Sequence, residues 1–531
     1  MTPPLKKIQD TAINSIGYFF LLLGTSVFAV TLTLSHTRYA CKKAFFLSNY
    51  SIVALSLLTI IIAISAATYA KNRQWNLTIT TQVTWLFSIN KATFFLFLVQ
   101  AYIFTNTLIF SGWDAGGVYS IANLISKGSE STWGNAYLSR FPNNQLVVLF
   151  QALIIKTDRA IGVFGGDGRV VLVLIQCLLT SLTGKFLYEI IFTLSNSKFT
   201  AALGWIAFVI LLGLSGWNVI PYTDMMGLIF PTAILKAYLS LHESNHPVTL
   251  WAIIVALAFW GYNFKPTTII VVIALIITEF LFFRRIIGFN KRLFSYLAIV
   301  TILSLSVYNS IFNLSIEKSG LKINRELDTG ALHMIMMGMN PVNHGVWYDK
   351  DVRLSEGFKN KEERRNAQIA TIKQRLKDYG LPGFVHHMYK KTLIVFNDGT
   401  FAWGVEGGFY RFVPPDKNTK VAPFLKSIFF SYGSRHKRLS TIQQIVWIST
   451  LLFSLGIFFF RTKKEHFLIM LSLLGTILFN LLFEARARYL ILYVPFFIIA
   501  ATVTLHKIFK VVLKALSQQT NGQSRAEPPR G

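Results

Sequence analysis

Charge is scarce in this 531-residue chain: 14% of its residues are Asp, Glu, Lys or Arg, against 53% hydrophobic and 15% aromatic. A water-soluble protein of that length could not hide so much apolar surface. The scarcity, with a mean hydropathy of +0.48, therefore points to a polytopic membrane protein. Cysteine is nearly absent. Cys41 and Cys177 lie far apart, near or inside apolar runs, which argues against a structural disulfide and gives no metal-ligand spacing. Acid is the scarcer sign of charge, 24 Asp and Glu against 52 Lys and Arg, for a net charge of +28. Zinc spacing and aromatic-interleaved basic patches are both missing, so the excess is not read as nucleic-acid binding. The cations fall instead in short clusters between apolar runs, the pattern of topology-setting loops and of contact with anionic lipid. A phosphate loop is missing too: "FGGDGR" (164–169) has the glycines but no Lys-Ser/Thr.

What the chain does have is long apolar runs. A span needs about 20 such residues, and the runs predict about twelve helices. They lie near 13–34, 50–69, 93–112, 168–192, 199–216, 226–241, 249–264, 267–283, 293–313, 441–460, 466–483 and 489–508. "MTPPLKKIQD" resembles the start of a signal peptide, but no small-residue cleavage site follows, so 13–34 reads as a retained span. If the spans alternate, Lys6, Lys7, Lys71, Arg73, Lys91, Lys198, Arg284, Arg285, Lys291, Arg292, Arg461, Lys463 and Lys464 share one side with Lys507, Lys510 and Lys514. The positive-inside rule makes that side cytoplasmic, with both termini on it. Arg38, Lys42 and Lys43 dissent.

This alternation requires "PNNQLVVLFQALII" (142–155) not to cross, and its length suits a re-entrant or interfacial helix in the outer loop 113–167. The expected fold is an all-α integral membrane protein. Residues 1–92 form a two-span N-terminal extension, 93–313 a membrane core, 314–440 a mixed soluble segment capping the outer face, and 441–510 the last spans. A disordered cytoplasmic tail covers 511–531. Within the outer segment, 359–380 reads as a soluble helix stopped by Gly380. Residues 381–403 read as an amphipathic helix running into a turn at Asn397-Asp398-Gly399.

The same alternation gathers ionisable residues on the outer face. Asp114 in "SGWDAGGVYSIAN" and Asp224 in "IPYTDMMG" each follow an apolar run, and Arg140, Lys265, Arg486 and Arg488 join them. Each has a plainer reading. The aspartates are good helix caps, Lys265 suits snorkelling to the interface, and the arginines suit interfacial anchoring. Together they make a mixed acidic and basic site where charge is expensive. A carboxylate there can take a proton from a hydroxyl, and planar guanidinium groups suit a phosphate. Glu484 can orient the arginine pair. His386-His387 point apart on a helix, and His333 and His344 suit structural or lid roles; none of them is read as a ligand.

The order "WDAGGVYSIA", "YLSRFPNN", "FGGDGR", "PYTD", "FKPT", "NDGTFAW", "EARARYLILYVP" resembles the GT-C glycosyltransferases of the protein-mannosyltransferase and aminoarabinose-transferase type. The Gram-positive bacterial members are the most similar. The resemblance runs from about residue 93 to 508, with the first two spans as an addition. It implies a GT-C-like membrane enzyme moving a sugar from a polyprenyl-phosphate donor to a cell-envelope glycan, glycolipid or protein acceptor at the extracytoplasmic face. It makes Asp114 the catalytic base, gives Asp224 an assisting role, and puts Arg140, Lys265, Arg486, Arg488 and Tyr222 near donor phosphate. A divalent cation, Mg or Mn, at Asp114 or Asp224 stays open, because Ala115 stands where many relatives carry a second acid. A lipid-linked sugar flippase and a polysaccharide polymerase or ligase are the competing readings.

Overall fold

The computed structural model describes residues 3–33, 45–72, 88–241, 244–282, 291–405, 408–416 and 420–523. Among them all regular structure is helical, apart from an isolated antiparallel bridge between Phe110 and Phe412. Helices long and apolar enough to cross a membrane are Lys6–Thr33, Arg169–Ser195, Pro247–Phe264, Ser295–Lys318, His436–Phe460, Lys464–Leu482 and Ala487–Val512. Shorter apolar helices at Asn49–Ile62, Ile89–Thr105, Lys198–Gly213 and Pro266–Phe282 stand where four other spans were expected, and Ile229–Ser240 stands at a fifth. Arg38, Lys42, Lys43, Arg73, Arg284 and Arg285 lie outside the described residues.

The surface of this bundle requires lipid. Along Ser295–Lys318, Tyr296, Ile299, Ile302, Leu303, Val307 and Ile311 are all exposed. In water such a stripe would drive aggregation, whereas hydrocarbon is its natural solvent. The helix leans on Pro247–Phe264, where Trp251 Nε1 donates to Thr301 Oγ1 at 3.0 Å and Phe259 meets Tyr308 at 5.7 Å.

The bundle has two chemically different ends. At one, Lys464 pairs with Glu279 at 2.8 Å, Lys236 with Glu189 at 3.4 Å, and Arg461 Nε donates to Asn14 at 3.0 Å. The helices Ile269–Phe282 and Lys464–Leu482 run antiparallel from that end to the other, about 20–30 Å away. There Lys265 and Glu484 emerge with Asp114 and Asp224.

Near that second end the helices break up, and the breaks are chemically supported. Lys198–Phe208 widens into a π turn, Val209–Gly213, then a 3-10 turn, Gly216–Val219, before the chain reaches Asp224. Carbonyls freed by such breaks have no water to bond with inside a bilayer, so side chains must serve them. Gln100 Nε2 donates to Gly213 O at 2.7 Å, Gln176 Nε2 to Asn218 O at 2.9 Å, and Gln151 Nε2 to Pro221 O at 2.7 Å. Asn218 Nδ2 reaches Leu212 O at 2.7 Å. A second irregular stretch, Ala487–Tyr493, is tied to the Pro266–Thr268 turn by Tyr493, whose hydroxyl donates to Thr267 O at 2.9 Å.

The helix expected to stay uncrossed forms as Gln145–Ile161, 17 residues, shorter than a comfortable span. In the 314–440 segment, Lys361–Phe396 is broken at Gly380 (φ 53°, ψ −173°), just before Pro382, and Asn360 caps its start by accepting from Glu362 N and Glu363 N. That break falls where glycine was expected to stop the helix, since its φ is one that a side chain resists. The rest of 314–440 carries the helices Gly330–Gly338, Asp349–Glu356 and Val421–Phe429, joined by irregular stretches such as 339–348 and 397–405. The tail differs from expectation. The last helix runs on to Gln523, because no Gly or Pro interrupts the chain between Val511 and Thr520; residues 524–531 lie outside the described region.

Candidate functional site

The site is built where four helix-to-helix junctions meet at the second end. Asp224 stands in the short helix Thr223–Met226, and neither of its oxygens caps that helix. Oδ1 lies 2.6 Å from Lys265 Nζ, and Oδ2 accepts from Arg488 Nη1 at 2.6 Å. All three side chains are buried. The snorkelling reading of Lys265 and the anchoring reading of Arg488 therefore give way to a buried triad, a carboxylate clamped between two cations. Aromatic faces replace water around the cations: Arg488 Cζ lies 4.5 Å from the Trp113 ring centre and 5.1 Å from that of Tyr489. Lys265 Nζ lies 4.8 Å from the Tyr489 centre.

Asp114 opens the helix Asp114–Ser126, but the cap position belongs to Trp113 and no side chain caps it. The carboxylate instead accepts from Tyr137 Oη at 3.2 Å. Behind Tyr137 a hydrogen-bonded relay runs to Tyr222. Asn144 Nδ2 donates to Tyr137 Oη at 2.8 Å, and Tyr222 Oη donates to Asn144 Oδ1 at 3.0 Å. Tyr222 meets Trp113 edge to face at 5.0 Å and stands beside Arg488. The two aspartates thus share one constellation: hydrogen bonds run from Asp114 as far as Tyr222, and the Tyr222 and Trp113 rings beside Arg488 continue it to the triad. Glu484 forms the third acidic corner, accepting from Arg486 Nε at 2.9 Å and from Tyr489 Oη at 2.8 Å.

These surroundings set the carboxylates apart. For Asp224, burial would raise the proton affinity, yet Lys265 and Arg488 outweigh it and hold the group below the usual carboxylate range. Glu484 is held low in the same way: burial pushes up, while Arg486, Tyr489 and Arg488 pull down further. Asp114 goes the other way. It is recessed among protein atoms while its carboxylate stays open to water, and burial raises it; Arg488 opposes the rise and Glu484 adds to it.

Arg140 is engaged elsewhere. Its Nε faces Glu356 at 3.7 Å, and its carbonyl accepts from Thr329 N at 3.1 Å and Thr329 Oγ1 at 3.0 Å. The structure therefore uses Arg140 to dock the 314–440 segment onto the 113–167 loop. A divalent cation does not fit Asp224 either, since both oxygens already face cations that the ion would have to displace. Among the described residues no three His, Cys, Asp or Glu side chains gather closely enough to hold one. His333 is buried with Nδ1 2.8 Å from Ser355 Oγ, and His387, buried, lies 2.9 Å from Gly338 O while His386 is exposed.

Sequence reading missed Tyr137, Asn144, Trp113 and Tyr489 as site residues. The only local signal was that they sit inside or beside the quoted motifs.

Apolar helices in lipid-requiring surroundings define an integral membrane protein. A family model described as conserved hypothetical integral membrane protein matches residues 5–509, and the chain belongs to that family. The match includes both N-terminal helices. No curated protein and no solved structure matches the chain.

Proposed function

We propose that this protein is a GT-C-like membrane glycosyltransferase, which takes a sugar from a polyprenyl-phosphate donor and places it on a cell-envelope glycan, glycolipid or protein acceptor. The observation that carries the reading is the contrast among the carboxylates: Asp224 is buried between Lys265 and Arg488, Glu484 is buried between Arg486 and the Tyr489 hydroxyl, and Asp114 is exposed with the Tyr137 hydroxyl on it. Acid and base assignments follow from environments that push neighbouring groups apart.

In the proposed reaction the acceptor hydroxyl gives its proton to Asp114 as its oxygen attacks C1 of the donor sugar. The C1–O bond to phosphate breaks on the opposite face, and its electron pair leaves with polyprenyl phosphate. One displacement inverts the anomeric centre. Lys265 and Arg488 receive the departing phosphate, pre-positioned by Asp224 so that little reorganisation is needed. Lys265, Arg486 and Arg488 outnumber ionised Asp224 and Glu484, so the site carries surplus positive charge whenever Asp114 is neutral. No step passes through a metal.

The same reading puts the site at the extracytoplasmic face of the cell membrane and the termini in the cytoplasm. Arg461 and Lys464 at the far end support that orientation. A flippase would carry ionisable groups at mid-span, whereas Glu189 and Glu279 are paired near the far end. A polymerase or ligase would centre its chemistry on the late segment, where His333 Nδ1 lies 2.8 Å from Ser355 Oγ and Arg435 Nη1 donates to Ser427 Oγ at 3.0 Å, both structural contacts within that segment, while His333 meets Phe141 at 6.3 Å.

A strain lacking the protein, complemented with wild type or Asp114→Asn, tests the proposal. The variant should reach the membrane at wild-type level yet leave the surface glycan without the transferred sugar. A wild-type surface composition in the Asp114→Asn strain would overturn it.

A further inference from the structure

Trp133 stands out among the tryptophans of the described region. Trp217, Trp403 and Trp447 are buried in aromatic clusters, whereas Trp133 and Trp347 are 57% and 49% exposed, and of these two Trp133 is the one that stacks beside Asp114's hydrogen-bond partner. It is nevertheless firmly placed. Its ring stacks on Tyr137 with centres 5.3 Å apart and planes 21° apart, and Tyr137 is the residue that donates to Asp114. Its far edge lies over Gly117, where an added Cβ would come within 3.1 Å of the indole. Gly117 is one turn beyond Asp114 on the same helix, so the two share a face. A flat apolar plate therefore lies along the helix face that presents the proton acceptor. On the other side of Asp114, Trp113 covers Arg488.

We propose that Trp133 is the platform on which the acceptor saccharide stacks. This rests on the glycosyltransferase reading and names the acceptor's class, a pyranose ring rather than a serine or threonine hydroxyl. The aliphatic C–H face of a pyranose carries partial positive charge and packs flat on an indole, whose face is negative. Tyr137 covers one face of the indole, so a sugar packs on the other, and its rim hydroxyls reach Asp114 past the indole edge that lies over Gly117. The phosphate side of the site, Lys265 and Arg488, is left to the donor. Gly117 is the accommodation that lets the indole lie close to the helix.

The test uses full-length protein in lipid nanodiscs with methyl α-mannopyranoside and methyl β-glucopyranoside as probes, read by saturation-transfer NMR on their ring protons. Wild type and Asp114→Asn should both saturate at least one glycoside. Trp133→Ala should weaken that signal by about fivefold to tenfold, and Trp133→Phe should keep most of it. Trp133→Ala that saturates like wild type would overturn the platform, as would saturation of neither probe by wild type. The parent reading fails separately: it falls if Asp114→Asn leaves the surface glycan intact, whatever Trp133 does. A Trp133→Ala protein that elutes as a monodisperse particle keeps misfolding out of the comparison.

Discussion

A charge in this chain is costly, and at the site Asp224 and Glu484 are each paired with cations. Asp224 satisfies two cations, so removing it leaves two buried positive charges facing each other without their counter-ion. Asp224→Ala should therefore destabilise the protein by roughly 3–5 kcal/mol, the usual cost of breaking a buried pair from one side. A thermal melt of the detergent-solubilised protein measures this, and an unchanged midpoint would show that the triad is not formed. Asp114 should behave in the opposite sense. Because its folded-state proton affinity is raised, the ionised form weakens the fold above the ordinary carboxylate value of about 4, and that penalty fades as pH falls. Asp114→Asn should thus melt at or above the wild-type temperature near neutral pH while losing transfer. In wild type, transfer should decline with acid on a limb lying above that ordinary value, as the base becomes protonated. A limb at or below pH 4 would contradict the assignment.

At the scale of elements, the function depends on helices that stop at chosen places. The breaks before Asp224 are tolerated because Gln100, Gln151 and Gln176 serve the released carbonyls. Gln176→Leu leaves Trp217 O and Asn218 O without that donor inside the bilayer and should cost about 1–3 kcal/mol. Its activity should fall further than its melting temperature alone explains, since the Asp224 turn loses its support. The outer segment holds the other junction. Lys391 Nζ donates to Gly338 O at 2.9 Å and Phe483 O at 2.6 Å, and Ala485 N donates to Gly345 O at 2.7 Å. Lys391 is buried, and burial lowers its proton affinity to about 7, only partly offset by Glu484. Lys391→Met should loosen the Glu484–Arg488 loop, read as faster hydrogen exchange there.

Helix existence was legible because apolar length is a strong signal, and the Gly380 break was legible because glycine before Leu-Pro has few alternatives. Asp114, Asp224, Lys265 and Arg488 were legible because isolated charges at the ends of apolar runs are conspicuous in such a chain. The partner of Arg140 was not. Glu356 comes from far along the sequence, and nothing local says which of two outer surfaces a cation will face. Tyr137 and Asn144 were hidden for a similar reason: neutral hydrogen-bonding groups acquire a role only when tertiary packing aligns them.

For the whole molecule, the account makes one end of the bundle extracytoplasmic. With Cys41 and Cys177 replaced by serine, Ser129→Cys, exposed in the first outer loop, should react with a membrane-impermeant maleimide in intact cells. Lys463→Cys, exposed at the opposite end, should react only after permeabilisation. The reverse pattern would place the site on the cytoplasmic face. The central claim, that Asp114 drives displacement of a lipid phosphate, is tested most directly in proteoliposomes supplied with polyprenyl-phosphate-linked radiolabelled sugars and envelope glycan, by measuring release of free polyprenyl phosphate. The account predicts that wild type consumes one of these donors and Asp114→Asn leaves it intact. Equal release by the two proteins would contradict it.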